Sequence, residues 1–175
     1  MKITLDAFSA SSIDEAIRQL ETYSKTLDGK AQELAEKLAN LGYETAYQIM
    51  AGHVYSGETI SNLIVQEVDA NHYTLLAGSV ALLFFEFGAG VRGAGHPKAA
   101  EMGMGPGTYP GQKHALDPNG WWFPTDDANL IIRTDKNGQG WGHSRGNPPY
   151  MPFYNASQQI RADLLTCAQE VFQTT

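Results

Sequence analysis

Apolar residues stand at Ile13, Ile17, Leu20, Leu27, Ala31, Leu34, Leu38 and Leu41, in steps of 4, 3, 7, 4, 3, 4 and 3. That spacing draws one stripe along a helix of about eight turns. A helix this long constrains the rest of the chain, because something must cover the stripe. Heptad spacing admits a coiled-coil partner; a sheet of the same subunit is the simpler cover and is the expectation. Ser12-Ile13-Asp14-Glu15 reads as a capping box at the start. Gly29 costs about 1 kcal/mol relative to alanine inside a helix, so Asp28-Gly29 marks an expected bend or break. A further helical turn is expected after Gly42, through Ala46, Tyr47 and Met50, ended by Gly52 and Gly57.

Around this helix the pattern is mostly extended. Ile3, Leu5 and Ala7 alternate with Lys2, Thr4 and Asp6, as in a short half-buried strand. Thr59 to Val68 is rich in β-branched residues, Asp69-Ala70-Asn71-His72 has turn chemistry, and Tyr73 to Ala77 returns as the partner strand. Val80 to Phe87 is apolar and fits either a strand or a short helix. Gly88 to Gly120 holds nine glycines and four prolines with no periodicity, which defines a long Gly-rich loop. Short strands are expected at Trp121 to Thr125, Leu130 to Thr134 and Gly140 to Ser144, with a turn at Lys136-Asn137-Gly138. Phe153 to Phe172 reads as a closing helix with Ile160, Leu164, Cys167 or Ala168, and Val171 on one face. The fold class is therefore α+β: a single domain over residues 1–175, with a long N-terminal amphipathic helix on a mostly antiparallel sheet, a C-terminal helix and the Gly-rich loop as an insertion at 88–120.

Composition excludes several classes. Apolar residues make up 42% of the 175, enough for a core. The 12 basic and 19 acidic side chains leave a net charge of −7, which argues against wrapping nucleic acid. One cysteine, Cys167, allows no internal disulfide and reads as a buried structural thiol. The N-terminus has no apolar run of signal-peptide length, and Val80 to Phe85 is too short to span a bilayer. The expectation is a protein made in the cytoplasm, with no membrane partner.

The chemical motifs are weak. Gly88-Ala89-Gly90-Val91-Arg92-Gly93 matches G-x-G-x-x-G, but Gly95 and Pro97 forbid the helix on which a pyrophosphate would sit. The five histidines, His53, His72, His96, His114 and His143, include no tight pair of the H-E-x-x-H kind. His96, His114 and Asp117 could meet across the Gly-rich loop, which is the basis of an alternative reading as a metal-dependent cell-wall hydrolase. No G-x-S-x-G elbow is present. The expectation is no catalytic residue, no cofactor and no metal. Arg92, Lys98 and Lys113, near Tyr109, Trp121 and Trp122, give the loop a basic and aromatic character. A loop that orders against a protein neighbour fits the acidic whole better than one that grips DNA.

Two segments carry a resemblance. Phe84-Phe85-Glu86-Phe87-Gly88-Ala89-Gly90 resembles the E-F-G-[TA]-G signature of the head–tail joining proteins of long-tailed bacteriophages, the gene-product-ten-like family. Asn147-Pro148-Pro149-Tyr150-Met151-Pro152-Phe153-Tyr154-Asn155-Ala156 resembles the P-x-x-P-F segment that leads into that family's last helix. The long helix ending in Leu38-Ala39-Asn40-Leu41-Gly42 sits where the family has its own. The enlarged Gly88–Gly120 loop and the segment Asp126–Gly138 depart from the pattern. The resemblance implies a virion component in the neck or tail-completion region, assembled in the host cytoplasm. It would form a sixfold ring with itself and touch neighbouring neck and tail proteins. Genomic DNA would pass through the ring without sequence-specific binding. A capsid-decorating minor protein is the other structural reading. Interface residues expected on this basis are Glu86, Phe87, Arg92, Met102, Met104, Tyr109, Leu116, Tyr150 and Phe153. Glu86, set between phenylalanines, should reach a rim or a partner's backbone amide. Met102, Met104, Tyr109 and Leu116 are spaced like anchors through a loop expected to order only on docking.

Overall fold

The stripe forms one helix, α1, from Ala10 to Ala51, in a computed structural model that describes residues 3, 4, 6, 8–53, 62–78, 81–105 and 116–173. Its cap lies three residues before the expected one. Ser9 is the N-cap, and its hydroxyl accepts from the Ser12 amide at 3.4 Å. The Ser12 hydroxyl is engaged elsewhere, accepting from the Asp6 amide at 2.9 Å. The Glu15 carboxylate turns outward to Gln19 and Arg18, whose hydrogen bonds hold it below its usual pKa. The expected N-terminal strand is not seen among the described residues of its stretch: Ile3, Thr4 and Asp6 carry no strand pairing.

Neither Gly29 nor Gly42 interrupts α1, and the turn expected after Gly42 is its continuation, ending at Gly52. A glycine weakens a helix by about 1 kcal/mol, too little to break one that packing holds at its other end. The two glycines serve different ends. A Cβ on Gly29 would meet nothing within 4 Å, whereas one on Gly42 would lie 2.9 Å from Ile160 Cδ1. Gly42 therefore lets the last helix approach closely.

That helix, Pro152–Gln173, begins one residue before the expected start. Two short helical pieces precede it: α2 at Ala81–Phe87, which resolves the ambiguous apolar run, and a 3₁₀ turn at Gly90–Arg92. The C-terminal helix is thus α3. It runs antiparallel to α1: Ile160 lies beside Gly42, Glu170 pairs with Lys37, and the carbonyls of Val171 and Phe172 accept from Lys30 Nζ. Lys30 thereby serves a helix end where unpaired carbonyls favour a cation.

Strands β1 (Leu63–Asp69) and β2 (His72–Ala77) form an antiparallel hairpin with Leu63 opposite Ala77. The Asp69 carboxylate accepts from the Asn71 amide in the turn, as that turn's composition predicts. A separate sheet holds β3 (Trp121–Pro124), β4 (Arg133–Thr134) and β5 (Gly140–Ser144) in the order β3-β5-β4, all antiparallel. The fold class is α+β as expected, with the strands divided between two sheets. In the β4–β5 turn the Asp135 carboxylate accepts from the amides of Gln139 and Asn137, which hold its pKa down.

The core lies where α1 ends and α3 begins. Ala46 and Met50 of α1, Leu63 of β1 and Ala156 of α3 are buried together, with Tyr43, Leu75, Ala77, Leu82 and Phe153 packed around them. Only the C-terminal half of α1 takes part. Toward its N-terminus Ile13, Ile17, Leu20 and Leu27 are exposed, and the C-terminal half is covered chiefly by α3 with the β1–β2 hairpin beside it, so the expectation that the stripe packs on the subunit's own sheet is corrected. The reason is length: α3 ends at Gln173 beside Lys30, and roughly 20 residues of α1, about 30 Å, extend past it.

The two α1 glycines give a paired test. Gly29→Ala is expected to stabilise by about 0.5–1 kcal/mol, and Gly42→Leu to destabilise by about 1–3 kcal/mol through overpacking against Ile160. Urea melts of both variants beside the parent protein check this, and equal shifts for the two would contradict the packing described.

Candidate functional site

The two segments that carry the family resemblance meet in space, and Glu86 joins them. Glu86 stands on α2 and is buried, with 8% of its surface exposed. Its Oε2 accepts from the Phe153 amide and its Oε1 from the Tyr154 amide, both at 2.9 Å. Those amides belong to the first turn of α3. A helix start leaves such N–H groups without intrahelical partners, and its dipole favours an anion there. α3 has no acidic residue in its first turn. The residue before it, Met151, stands at φ 57, the one non-glycine among the described residues with positive φ. Pro152 has no N–H to satisfy, and the Asn155 amide donates to the Met151 carbonyl at 2.9 Å. Every donor in the first turn is thus accounted for, and the two in the middle depend on a residue 67 or 68 positions upstream.

His96 completes the node. Its side chain is 2% exposed and lies 3.1 Å from Glu86 Oε1 through Nε2. The Lys98 amide donates to Nδ1 at 3.1 Å. An acceptor at Nδ1 assigns the ring proton to Nε2, which donates to the carboxylate. The ring packs against Phe87, centroids 4.5 Å apart, and edge-on against Tyr154 at 5.4 Å. Both ring nitrogens of His96 are therefore engaged inside the protein. His114 lies outside the described residues, and the Asp117 carboxylate accepts from the Asn119 amide in a local turn. Among the described residues no group of three His, Cys, Asp or Glu side chains is placed to hold a metal ion.

Backbone pairing binds the same two segments. Ala89 and Asn147 exchange N–H···O bonds at 2.9 and 3.0 Å, and the Phe85 carbonyl accepts from the amides of Tyr150 and Met151. Asn147 Nδ2 donates to the Phe84 carbonyl at 2.7 Å. Such close approach needs glycine. A Cβ on Gly88, at φ 76, would lie 2.6 Å from Gly93 Cα and 2.9 Å from the Pro149 nitrogen. One on Gly146, at φ 86, would fall 1.8 Å from the Ala89 carbonyl oxygen. The G-x-G-x-x-G match is thus a device for packing backbone on backbone.

The expected interface residues divide accordingly. Glu86 does reach backbone amides, but they are its own chain's; it and Phe87 are buried within the subunit. Phe153 packs against the core, and Tyr150 stacks on His53 with centroids 3.9 Å apart. Arg92, Met102 and Leu116 are exposed, Met102 at 58% and Leu116 at 67%, while Met104 is half-buried. Tyr109 lies outside the described residues. The Gly-rich loop is not all free chain awaiting a partner. Gly88 to Gly90 and His96 are buried, and residues 96–104 carry the turns Met102 N to Lys98 O and Met104 N to Ala99 O.

Beside the node runs a groove of about 540 Å³ between β2, α2, α3 and the 98–102 turn, walled by Leu76, Leu83, Phe153 and Met102 and rimmed by Lys98 and Arg161. On the other sheet, the Arg133 guanidinium stacks on Trp122 at 3.9 Å, and Trp122 leans on His143. No expectation singled out either feature, because tertiary packing of a strand, two helices and a turn makes the groove, and cross-strand register sets Trp122 beside His143. Compared with family models, with curated proteins and with solved structures, the chain finds no match.

The node generates a graded series. Glu86→Ala leaves two helix amides and the His96 N–H unpaired, and is expected to cost about 3–5 kcal/mol. Glu86→Gln keeps one acceptor and should cost less, about 1–3 kcal/mol. His96→Phe keeps the ring contacts and removes one donor, for about 1–2 kcal/mol. Denaturant midpoints that fail to fall in this order would refute the capping role.

Proposed function

We propose that this chain is a structural component of a long-tailed phage particle, a head–tail connector of the neck or tail-completion region. It acts by assembly into a ring of its own copies that joins capsid to tail around the DNA channel, and it carries no catalytic residue. One observation supports the reading above the rest. The two segments that resemble the connector signatures lie far apart in sequence yet form one physical unit through Glu86, Asn147 and Ala89.

What the polar groups do supports the same reading. The buried acid and the buried histidine hold α3 to α2 and leave no lone pair of either ring nitrogen for chemistry. Among the residues that face outward, Met102, Leu116 and the N-terminal stripe of α1 are apolar and adaptable. No helix among the described residues is long and apolar enough to cross a membrane. Such a surface suits contact with neighbouring neck or tail proteins, and DNA would pass by without a sequence-specific grip. The acidic charge of −7 matches a channel that must not hold its cargo.

Disruption of the gene in its parent phage is the direct test. Electron microscopy is expected to show DNA-filled capsids and separate tails, with joining restored by the wild-type chain added in trans. Antibody label on intact particles should fall at the capsid–tail junction. Normal joined particles without the protein, or label confined to the capsid surface, would end the connector reading.

A further inference from the structure

The N-terminal half of α1 is an amphipathic helix past the end of its intramolecular cover. The seam that α3 covers continues into it in the same register. Counting by sevens places Ile13, Leu20, Leu27, Leu34 and Leu41 at one core position, and Ala10, Ile17, Ser24, Ala31 and Leu38 at the other. α3 lies along the second half of this series, from Gly42 back to Lys30. In the first half Ile13, Ile17, Leu20 and Leu27 are 38–54% exposed. An isolated stretch of roughly 20 residues gains little from helix propensity alone and relies on covering its apolar face.

We infer that this overhang is a self-association surface, packed in parallel against the same segment of another copy of the chain. The charges on its two flanks select the direction. One flank of the seam carries Asp14, Glu21 and Asp28; the other carries Ala16, Tyr23 and Lys30. In a parallel pair each flank meets the opposite flank of its neighbour. Asp28 of one copy then faces Tyr23 of the next, a donor for its carboxylate, and Glu21 faces Ala16. In an antiparallel pair like flanks meet, which sets Glu21 against Glu21 and Asp14 against Asp28, a repulsive arrangement. The parallel register also places Ser24 opposite Ser24, where two hydroxyls satisfy each other. A polar residue at one core position is a recognised way of fixing register.

The pairing rests on the helix itself; its extension to a closed ring rests on the connector reading above. A seam that meets itself in register joins two copies about a twofold axis, so it describes a pair of the free protein, and a ring needs a further, head-to-tail contact.

The test uses the full chain. Sedimentation of the wild-type protein at micromolar concentrations should show self-association. Leu20→Glu places a charge in the seam at a site exposed in the monomer, so the thermal melt of the diluted monomer should be retained while association weakens by at least ~100-fold. Leu165→Glu, on the exposed face of α3, should leave association unchanged. Ser24→Cys should form a disulfide between copies under mild oxidation, because only the parallel register brings position 24 against itself. A monomeric wild type, an unchanged association in Leu20→Glu, or no Ser24→Cys cross-link would each overturn the inference. A closed dimer that forms the cross-link is the expected state of the free protein, whereas the connector reading is judged in the particle by the gene disruption above, so the two readings fail separately.

Discussion

A carboxylate at the start of a helix that cannot cap itself is the interaction on which the rest of this structure depends. α3 begins after a residue in left-handed conformation, with a proline first and no acid in its opening turn. Without Glu86 its free amides would face a part-buried junction. Charge-assisted bonds of this kind are stronger than neutral ones, and leaving such donors bare costs more than the bonds themselves return. Because Glu86 comes from α2, the cap also fixes where α3 sits. The position of α3 then decides how much of α1 is covered and where the core closes. His96 keeps the carboxylate in place by donating to it from a ring held by a backbone amide and two aromatic faces. The acid and the histidine are thus consumed by architecture.

The elements were largely legible in the sequence, because periodicity and turn chemistry are local. The α1 stripe, the Asp69 turn and the proline that opens α3 each announce themselves within a few residues. The errors share a cause. Ser9 and Ser12 are both good caps, and the choice between them turns on the Asp6 amide, which bonds the Ser12 hydroxyl. The run before Gly88 is too short for its period to separate strand from helix, and packing decided in favour of α2. Glu86 was legible as a residue reaching for backbone amides, but no spacing indicates which chain owns them. A stripe shows that a helix has an apolar face; it does not say how far along the cover extends.

The Gly-rich stretch shows how composition can mislead. Nine glycines read as freedom. At Gly88, and at Gly146 across from Ala89, the missing side chain serves closeness: backbone lies on backbone where a single methyl would collide. Gly88, Ala89, Gly90, Gly93 and His96 are therefore buried, although the segment has no regular structure beyond one 3₁₀ turn and Val91, Arg92, Ala94 and Gly95 face outward. Absence of period is not absence of order when the partner is another strand of backbone.

The contact between α1 and α3 links positions about 140 apart, as Lys30 with Val171 shows. On a ribosome this separation becomes a delay. α1 emerges before α3, with its apolar face complete, and the helix that covers half of it follows about 140 residues later. At translation rates of about 5–20 residues per second the wait is on the order of 10 s. During that interval the whole stripe, including the part that α3 will claim, is open to other nascent chains of the same message. Copies made side by side on one polysome can therefore meet through α1 before either has folded, and the arrival of α3 then sorts the seam into an inner half and an outer one.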